Sequence, residues 1–317
     1  MIRCGRSSPD AVSSHRNPDD APDYAAATTN LAHRYRDPGV VAVEGPDRVA
    51  FLQGQLTQDV KTLGVFEALP AAGLTPTGKL LYFGRVLALP DRLLLLVPSL
   101  AVASVVPHLS KYAAFQKVSI RDASAEHLRL SLYGPRAAGL EVPPGVLRLP
   151  GEYEIAAEIL APTPARSALD ELLARSGSLP LGREAAEALR VEAGRPRFGQ
   201  DADSSNLPDE VGLSGAISTT KGCYVGQEVV ARLRTYGRVA RRLTGFRFLD
   251  RPLPEGTLFP DPRRPETALG RVTSSVVSPR RGAIGLGFVS REVADAAVLA
   301  FPGQSRGSAL VTPLPFA

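Results

Sequence analysis

The sequence predicts an α+β protein with more than one lobe, on three observations. Short hairpins and helices interleave between residues 40 and 191 instead of alternating as βαβ units. After Arg241 the chain becomes a series of short strand-like pieces separated by Pro- and Gly-rich turns, the pattern of a small β-barrel or sandwich. At 317 residues the chain exceeds the about 250–300 at which a single core stops growing.

Taken in order, residues 1–30 are rich in Ser, Asp, Pro and Ala without apolar periodicity and read as a disordered tail. The tail has no apolar core segment of a secretory signal. Asp10, Asp19, Asp20 and Asp23 argue against an organellar transit peptide. A buried strand is expected from Val40 to Val43. Asp47 then stands where it can cap a helix whose Val49, Phe51, Leu52 and Leu56 share one face. Pro76, Thr77 and Gly78 form a turn, and KLLYFGRVLAL pairs with RLLLLVP as a hairpin about Pro90 and Asp91. Helical spacing from Ser99 to Phe115 is interrupted by Pro107, giving a kinked helix or two short ones. Strands follow at Val118–Arg121 and Leu128–Tyr133, and helices at Ala165–Arg175 and Arg183–Val191. RLTGFRFL, ALGRVTSSVVSP, AIGLGFVS and VLAF supply the late strands, with turns at Pro252–Pro254 and Pro260–Pro265. The division falls near residue 237: residues 31–237 make one region of two lobes, and residues 238–317 a β domain.

Composition excludes several classes. Hydrophobic residues at 44% and charged ones at 22% describe an ordinary globular chain. Apolar runs such as Leu93 to Val97 are strand-sized, so no helix is expected to span a membrane. Two distant cysteines, Cys4 and Cys223, exclude a disulfide framework and indicate a reducing, cytoplasmic setting. The histidines are scattered and no CxxC occurs, which argues against a stably bound metal or a self-contained cluster. Cys4 sits in the tail and is assigned no function.

Residues 219–232, TTKGCYVGQEVVAR, are the most informative stretch. Cys223 lies between Gly222 and Gly226, with Lys221 before it and Gln227, Glu228 and Arg232 after. A thiol reacts as its thiolate, which neighbouring cations favour, and glycines permit turns that present it. The residues alone leave two readings open, a reactive thiol or a small buried hydrophobe. Directly after it run Arg232, Arg234, Arg238, Arg241 and Arg242, with Tyr236 among them. Such a cluster suits carboxylates, phosphates or RNA, and equally an ordinary solvated face.

KGCYVGQEVVAR resembles the signature of the YgfZ group of folate-binding proteins, relatives of the glycine cleavage T protein that act in iron–sulfur cluster assembly or repair. The resemblance covers roughly Arg36 to Phe301 and extends to GPDRVAFLQGQLTQDV and RVEAGRPRFGQD. It implies a T-protein-like, multi-lobed folate-binding fold with a C-terminal β-barrel, and tetrahydrofolate or a related reduced folate as cofactor. It makes Glu192 the acid that accepts the amino group and ring N–H of the pterin, a choice that suits a carboxylate. On the residues alone, Glu192 equally pairs with Arg190 or Arg195. Arg232, Arg234 or Arg238 would hold the anionic glutamyl tail. Gln227 and Glu228 would hold the loop or a partner, and Lys221 would favour the Cys223 thiolate as the redox group. Asp59, Gln55, Gly194 and Pro196 are assigned to architecture.

Aminomethyltransferases of this superfamily carry an Asp-Asp pair in the early hairpin. Here Tyr82 and Phe83 take its place, and no acid occurs between Glu67 and Asp91. Aminomethyl transfer is therefore the alternative reading, and direct RNA binding in tRNA modification a second one. The implied partners are iron–sulfur client or assembly proteins, with any nucleic-acid link indirect.

Overall fold

A computed structural model describes residues 21–237, 239–301 and 307–316. Its helices are α1 (Pro22–Thr29), α2 (Arg48–Gln55), α3 (Ser99–Tyr112), α4 (Arg166–Arg175), α5 (Arg183–Glu192) and α6 (Gln227–Tyr236). The described strands form three sheets.

The first sheet is antiparallel throughout, in the order Ala68–Leu74, Leu80–Ala88, Arg92–Leu96, Val40–Glu44 and Ser119–Asp122. Strand residues alternate between faces. Tyr82, Val86 and Ala88 pack one way, onto a core shared with α2 and α3. Phe83 and Arg85 therefore point the other way, toward the second sheet. That sheet runs Leu179–Pro180, Ala32–Arg36, His127–Tyr133, Ala157–Pro162 and Leu147–Pro150, with its first pair parallel. Val40, Ala42, Leu87 and Leu94 of the first sheet meet Leu149 and Leu160 of the second in a common apolar cluster. The sheets are thus fixed face to face next to the cavity described below.

The third sheet is a nearly closed six-stranded barrel, ordered Leu258–Asp261, Arg264–Ser278, Gly282–Ser290, Arg241–Phe248, Ala309–Thr312 and Val298–Leu299. Phe246, Phe259, Val272 and Val311 fill it. It docks on α5 through polar groups. The Arg190 guanidinium, fully buried, donates to Asp201 (2.6 Å), Ser274 Oγ (2.6 Å) and Glu187 (2.6 Å). Asp201 in turn accepts from the hydroxyls of Thr273 (2.6 Å) and Ser274 (2.7 Å) on the barrel. Every charge in this seam has a partner, as burial demands.

Two expectations need correction. The segment read as a disordered tail includes α1: Tyr24 is 1% exposed, wedged among Tyr133, Ile155, Leu181 and Leu189. One aromatic in an Ala-rich helix produces no periodic signal, yet it is enough to anchor the turn. Residues 1–20, with Cys4, lie outside the described residues. Asp47 precedes α2 but makes no side-chain cap on it; its Oδ2 accepts from Lys117 N (2.8 Å). Pro107 sits inside one continuous helix, α3, not between two short ones, and the turn expected at Pro260–Pro265 links Leu258–Asp261 to Arg264–Ser278, whose pairing is bulged. No helix of the described residues is long and apolar enough to cross a membrane.

Candidate functional site

A cavity of about 610 Å³ opens between the first two sheets and the loops at 195–198 and 212–216. Phe83 and Phe198 meet edge to face on one wall, their ring centroids 5.7 Å apart. Leu100 and Tyr153, both exposed large side chains, also line the cavity. The charged lining comprises Arg36, Arg85, Arg129, Arg195 and Arg197 against Asp37, Glu152 and Glu158. Five arginines face three acids in the lining, and two of them, Arg195 and Arg197, pair with Glu154 and Glu187 just outside it.

Strand register builds this group. Arg36 and Arg129 are direct antiparallel partners on the second sheet. Glu158, on the next strand, meets Arg129 through Nε (2.7 Å) and Nη2 (2.5 Å), both onto Oε1. From the first sheet, Arg85 Nη1 approaches Glu158 Oε2 at 3.6 Å, and its Nε lies 3.8 Å from Glu152 Oε1. Glu158 is 4% exposed. Burial alone would raise its carboxyl, but the guanidinium groups of Arg129 and Arg36 outweigh it and hold the acid below its ordinary value. Glu152 shifts upward, because burial prevails over Arg85. Arg36 is pushed down to about 10 by burial and by Arg129. Arg195 is held by Glu154 through three contacts of 2.6–3.1 Å. Among the described residues, the hydrogen bonds to Glu158 come from Arg129 alone, so Oε2 remains an open acceptor toward the cavity.

Glu192, the acid assigned to the pterin, is elsewhere. It is 6% exposed and does not line this cavity. Its carboxylate accepts from Tyr24 Oη (2.6 Å), Ser278 Oγ (2.5 Å) and Arg280 Nη2 (3.1 Å). It bonds to neither Arg190 nor Arg195. The side chain instead joins α1, α5 and the barrel hairpin, leaving little capacity for a ligand.

Lys221 also differs from expectation. Its ammonium is 7% exposed and donates to three backbone carbonyls, Gln53 O (2.7 Å), Leu56 O (2.6 Å) and Gln58 O (2.7 Å). Burial lowers it to about 8, with Asp59 opposing. The carbonyls belong to the end of α2 and the turn after it, so LQGQLTQD forms the socket for the lysine of the cysteine motif. Thr57 extends the junction: its hydroxyl donates to Ala216 O (2.6 Å), and its carbonyl accepts from Ser218 N (3.0 Å). Val225 N adds a bond to Gly54 O (3.1 Å). The two sequence motifs, more than 150 residues apart, are one structural unit. Cys223 rides on this anchored loop with its side chain exposed. It does not line the cavity, although Gly215 and Ala216 of the same chain segment do. Of the two glycines, Gly226 is required: its φ is +83° and an added Cβ would lie 2.6 Å from Thr75 O. Gly222 faces open space.

Gln227, Glu228, Arg232 and Arg234 lie on α6, away from the cavity lining. Gln227 Oε1 accepts from Tyr224 N, closing the turn before α6. Glu228 and Arg232 are exposed. Arg234 pairs with Asp209 (2.8 Å), Arg241 with Glu210 (3.3 Å) and Arg242 with Asp295 (2.8 Å). Arg238 lies outside the described residues. The arginine run is therefore largely neutralised by local acids, and the guanidinium groups of the cavity come from strands and from the 195–197 loop. A strand acid such as Glu158 carries no sequence signal of its own. Only the facing of the two sheets makes it part of a site. Among the described residues no group of His, Cys, Asp and Glu could hold a metal ion.

No family model matches the chain. An aminomethyltransferase of Rubrobacter xylanophilus is 31% identical over 279 residues, 80% of this chain and 74% of that one. A tRNA-modifying protein YgfZ of Vibrio vulnificus (strain YJ016) is 30% identical over 229 residues, 65% of this chain and 68% of the relative. The chain belongs to the YgfZ group of T-protein-like proteins. Its fold agrees with the YgfZ assignment. The solved aminomethyltransferase T of the glycine cleavage system of Bartonella henselae superposes with a TM-score of 0.80 at 22% identity, over 93% of this chain and 89% of that one. Within this T-protein-like frame, the early hairpin places Phe83 on the cavity wall and Tyr82 in the core behind it, with no carboxylate at either position.

Proposed function

We propose that this YgfZ-group protein binds a reduced folate in the cavity between the first two sheets and serves iron–sulfur cluster assembly or repair in client proteins. The observation that carries the binding half is the lining itself. Phe83, Phe198, Leu100 and Tyr153 offer apolar faces to a flat heterocycle. Open carboxylate oxygens at Glu158 and Glu152 suit its paired N–H donors, and Arg36, only loosely paired with Glu158 at 3.9 Å, suits an anionic tail. Arg36 takes the place in this reading that the run after Cys223 was expected to fill. A bound reduced folate would supply one-carbon carrying or reducing capacity. The protein's own residues bind it, orient it and screen it from water.

Aminomethyl transfer is disfavoured because the early hairpin brings arginine, not aspartate, to the cavity, and a guanidinium cannot stabilise developing positive charge. Direct tRNA binding is disfavoured by the pairing of Arg234, Arg241 and Arg242 with acids. The cluster half of the reading is supported by the family resemblance and by the exposed Cys223 thiol on its rigid loop. One thiol cannot hold a cluster, so the cluster is cargo shared with a partner's ligands. Anaerobic calorimetric titration with tetrahydrofolate is expected to give a saturable one-to-one isotherm; a flat one removes the folate reading. In cells lacking the wild-type protein, Cys223→Ala is expected to leave cluster-dependent enzymes deficient. Full activity in those cells removes the thiol from the reading.

A further inference from the structure

We infer that Arg85 reads the 4-oxo group of the bound heterocycle, so that the cavity selects 2-amino-4-oxo pteridines over their 2,4-diamino counterparts. This rests on the folate reading given above and adds to it the residue that sets ligand choice.

Arg85 lies mid-strand on the face that carries Phe83 and is 5% exposed. A buried guanidinium normally has its N–H groups engaged. Here Nη1 donates to Pro150 O (2.8 Å), while Nε is buried without a hydrogen-bond partner. No hydrogen bond among the described residues uses Nη2. The carboxylates of Glu158 and Glu152 flank the group at 3.6 and 3.8 Å, beyond hydrogen-bond reach. Nε is sealed from solvent, so Nη2 is the donor Arg85 has left for a ligand, beside two carboxylates on a wall that also holds aromatic rings.

The edge of a 2-amino-4-oxo pyrimidine ring presents an amino group, a ring N–H and a carbonyl oxygen side by side. Its complement is acceptor, acceptor, donor, which a carboxylate beside a guanidinium supplies. Replacing the 4-oxo group by an amino group sets donor against donor, and a buried arginine has no acceptor to offer in its place. Sites that hydrogen-bond a ligand reject the mismatched analogue strongly, because a buried polar group is left unpaired.

The test compares tetrahydrofolate with tetrahydroaminopterin, which differs from it by this one replacement, on the full chain. Wild type is expected to bind the 4-oxo compound about 30-fold more tightly or better. Arg85→Lys, which keeps a cation and a donor to Pro150 O but loses the fork, should cut that ratio to about threefold. Arg85→Met should abolish it, with thermal melting recorded for both variants. Equal affinities in wild type overturn the inference whatever the variants do, and so does a ratio retained by folded Arg85→Lys. If neither pteridine binds to wild type, the folate reading itself fails and this inference with it.

Discussion

Glu158→Gln is expected to weaken tetrahydrofolate binding by about 30- to 100-fold, the worth of charge-assisted hydrogen bonds lost from a buried carboxylate. Glu192→Gln is expected to change it by no more than about twofold. The contrast follows from where the two acids point. Glu158 has Oε1 engaged by Arg129 and Oε2 open toward the cavity. The amide of the variant retains an oxygen for Arg129 but presents an NH₂ group where the ligand's donors would arrive. Glu192 already accepts from Tyr24, Ser278 and Arg280 and lines no part of that cavity. Its replacement should appear as lost stability instead, because α1 and the barrel hairpin are joined through it. Calorimetric titration and a urea melt on each variant separate the two effects. Equal loss of affinity in both, with both folded, would return the pterin to Glu192.

Lys221→Met should cost about 2–4 kcal/mol of stability, since three carbonyl oxygens lose their donor at once. The same variant discriminates between two roles for the lysine. An ammonium that activates Cys223 would, when removed, slow alkylation of the thiol by iodoacetamide. An ammonium that clamps the loop would, when removed, free the loop and quicken alkylation. The three bonds of 2.6–2.7 Å to Gln53, Leu56 and Gln58 point to the clamp. The measurement belongs at pH 7, below the value near 8 to which burial brings this group, so that the wild-type clamp is charged. A variant with unchanged unfolding midpoint and slower alkylation would restore the activating role.

The sequence made the regular elements readable where apolar residues repeat. The hairpin Leu80–Ala88 with Arg92–Leu96, α3, α5 and the barrel strands follow from such patterns. It failed where function replaces apolar residues. Ala32–Arg36 reads AHRYR and looks like polar coil, yet it is a strand whose last arginine faces the cavity. Helix α6 was hidden because its arginines read as a charge run, although Val230 is buried. The cysteine motif was plain, but its physical complement was not: Lys221 is explained only by carbonyls that any sequence would carry. The surroundings of Glu192 were unreadable for a related reason. Its main partner, Tyr24, comes from a segment whose composition signals disorder, and the two are 168 positions apart.

The seam of Arg190, Asp201, Glu187, Ser274 and Thr273 has a bearing on how such a chain tolerates change over evolutionary time. An oily interface can absorb a methyl group here or there. This one cannot give up Arg190 or Asp201 alone without stranding a charge away from water, a loss of several kcal/mol. Descendants of this gene should therefore keep Arg190 and Asp201 or exchange them together, and a lone substitution at either should behave as a dead end unless its counterpart follows.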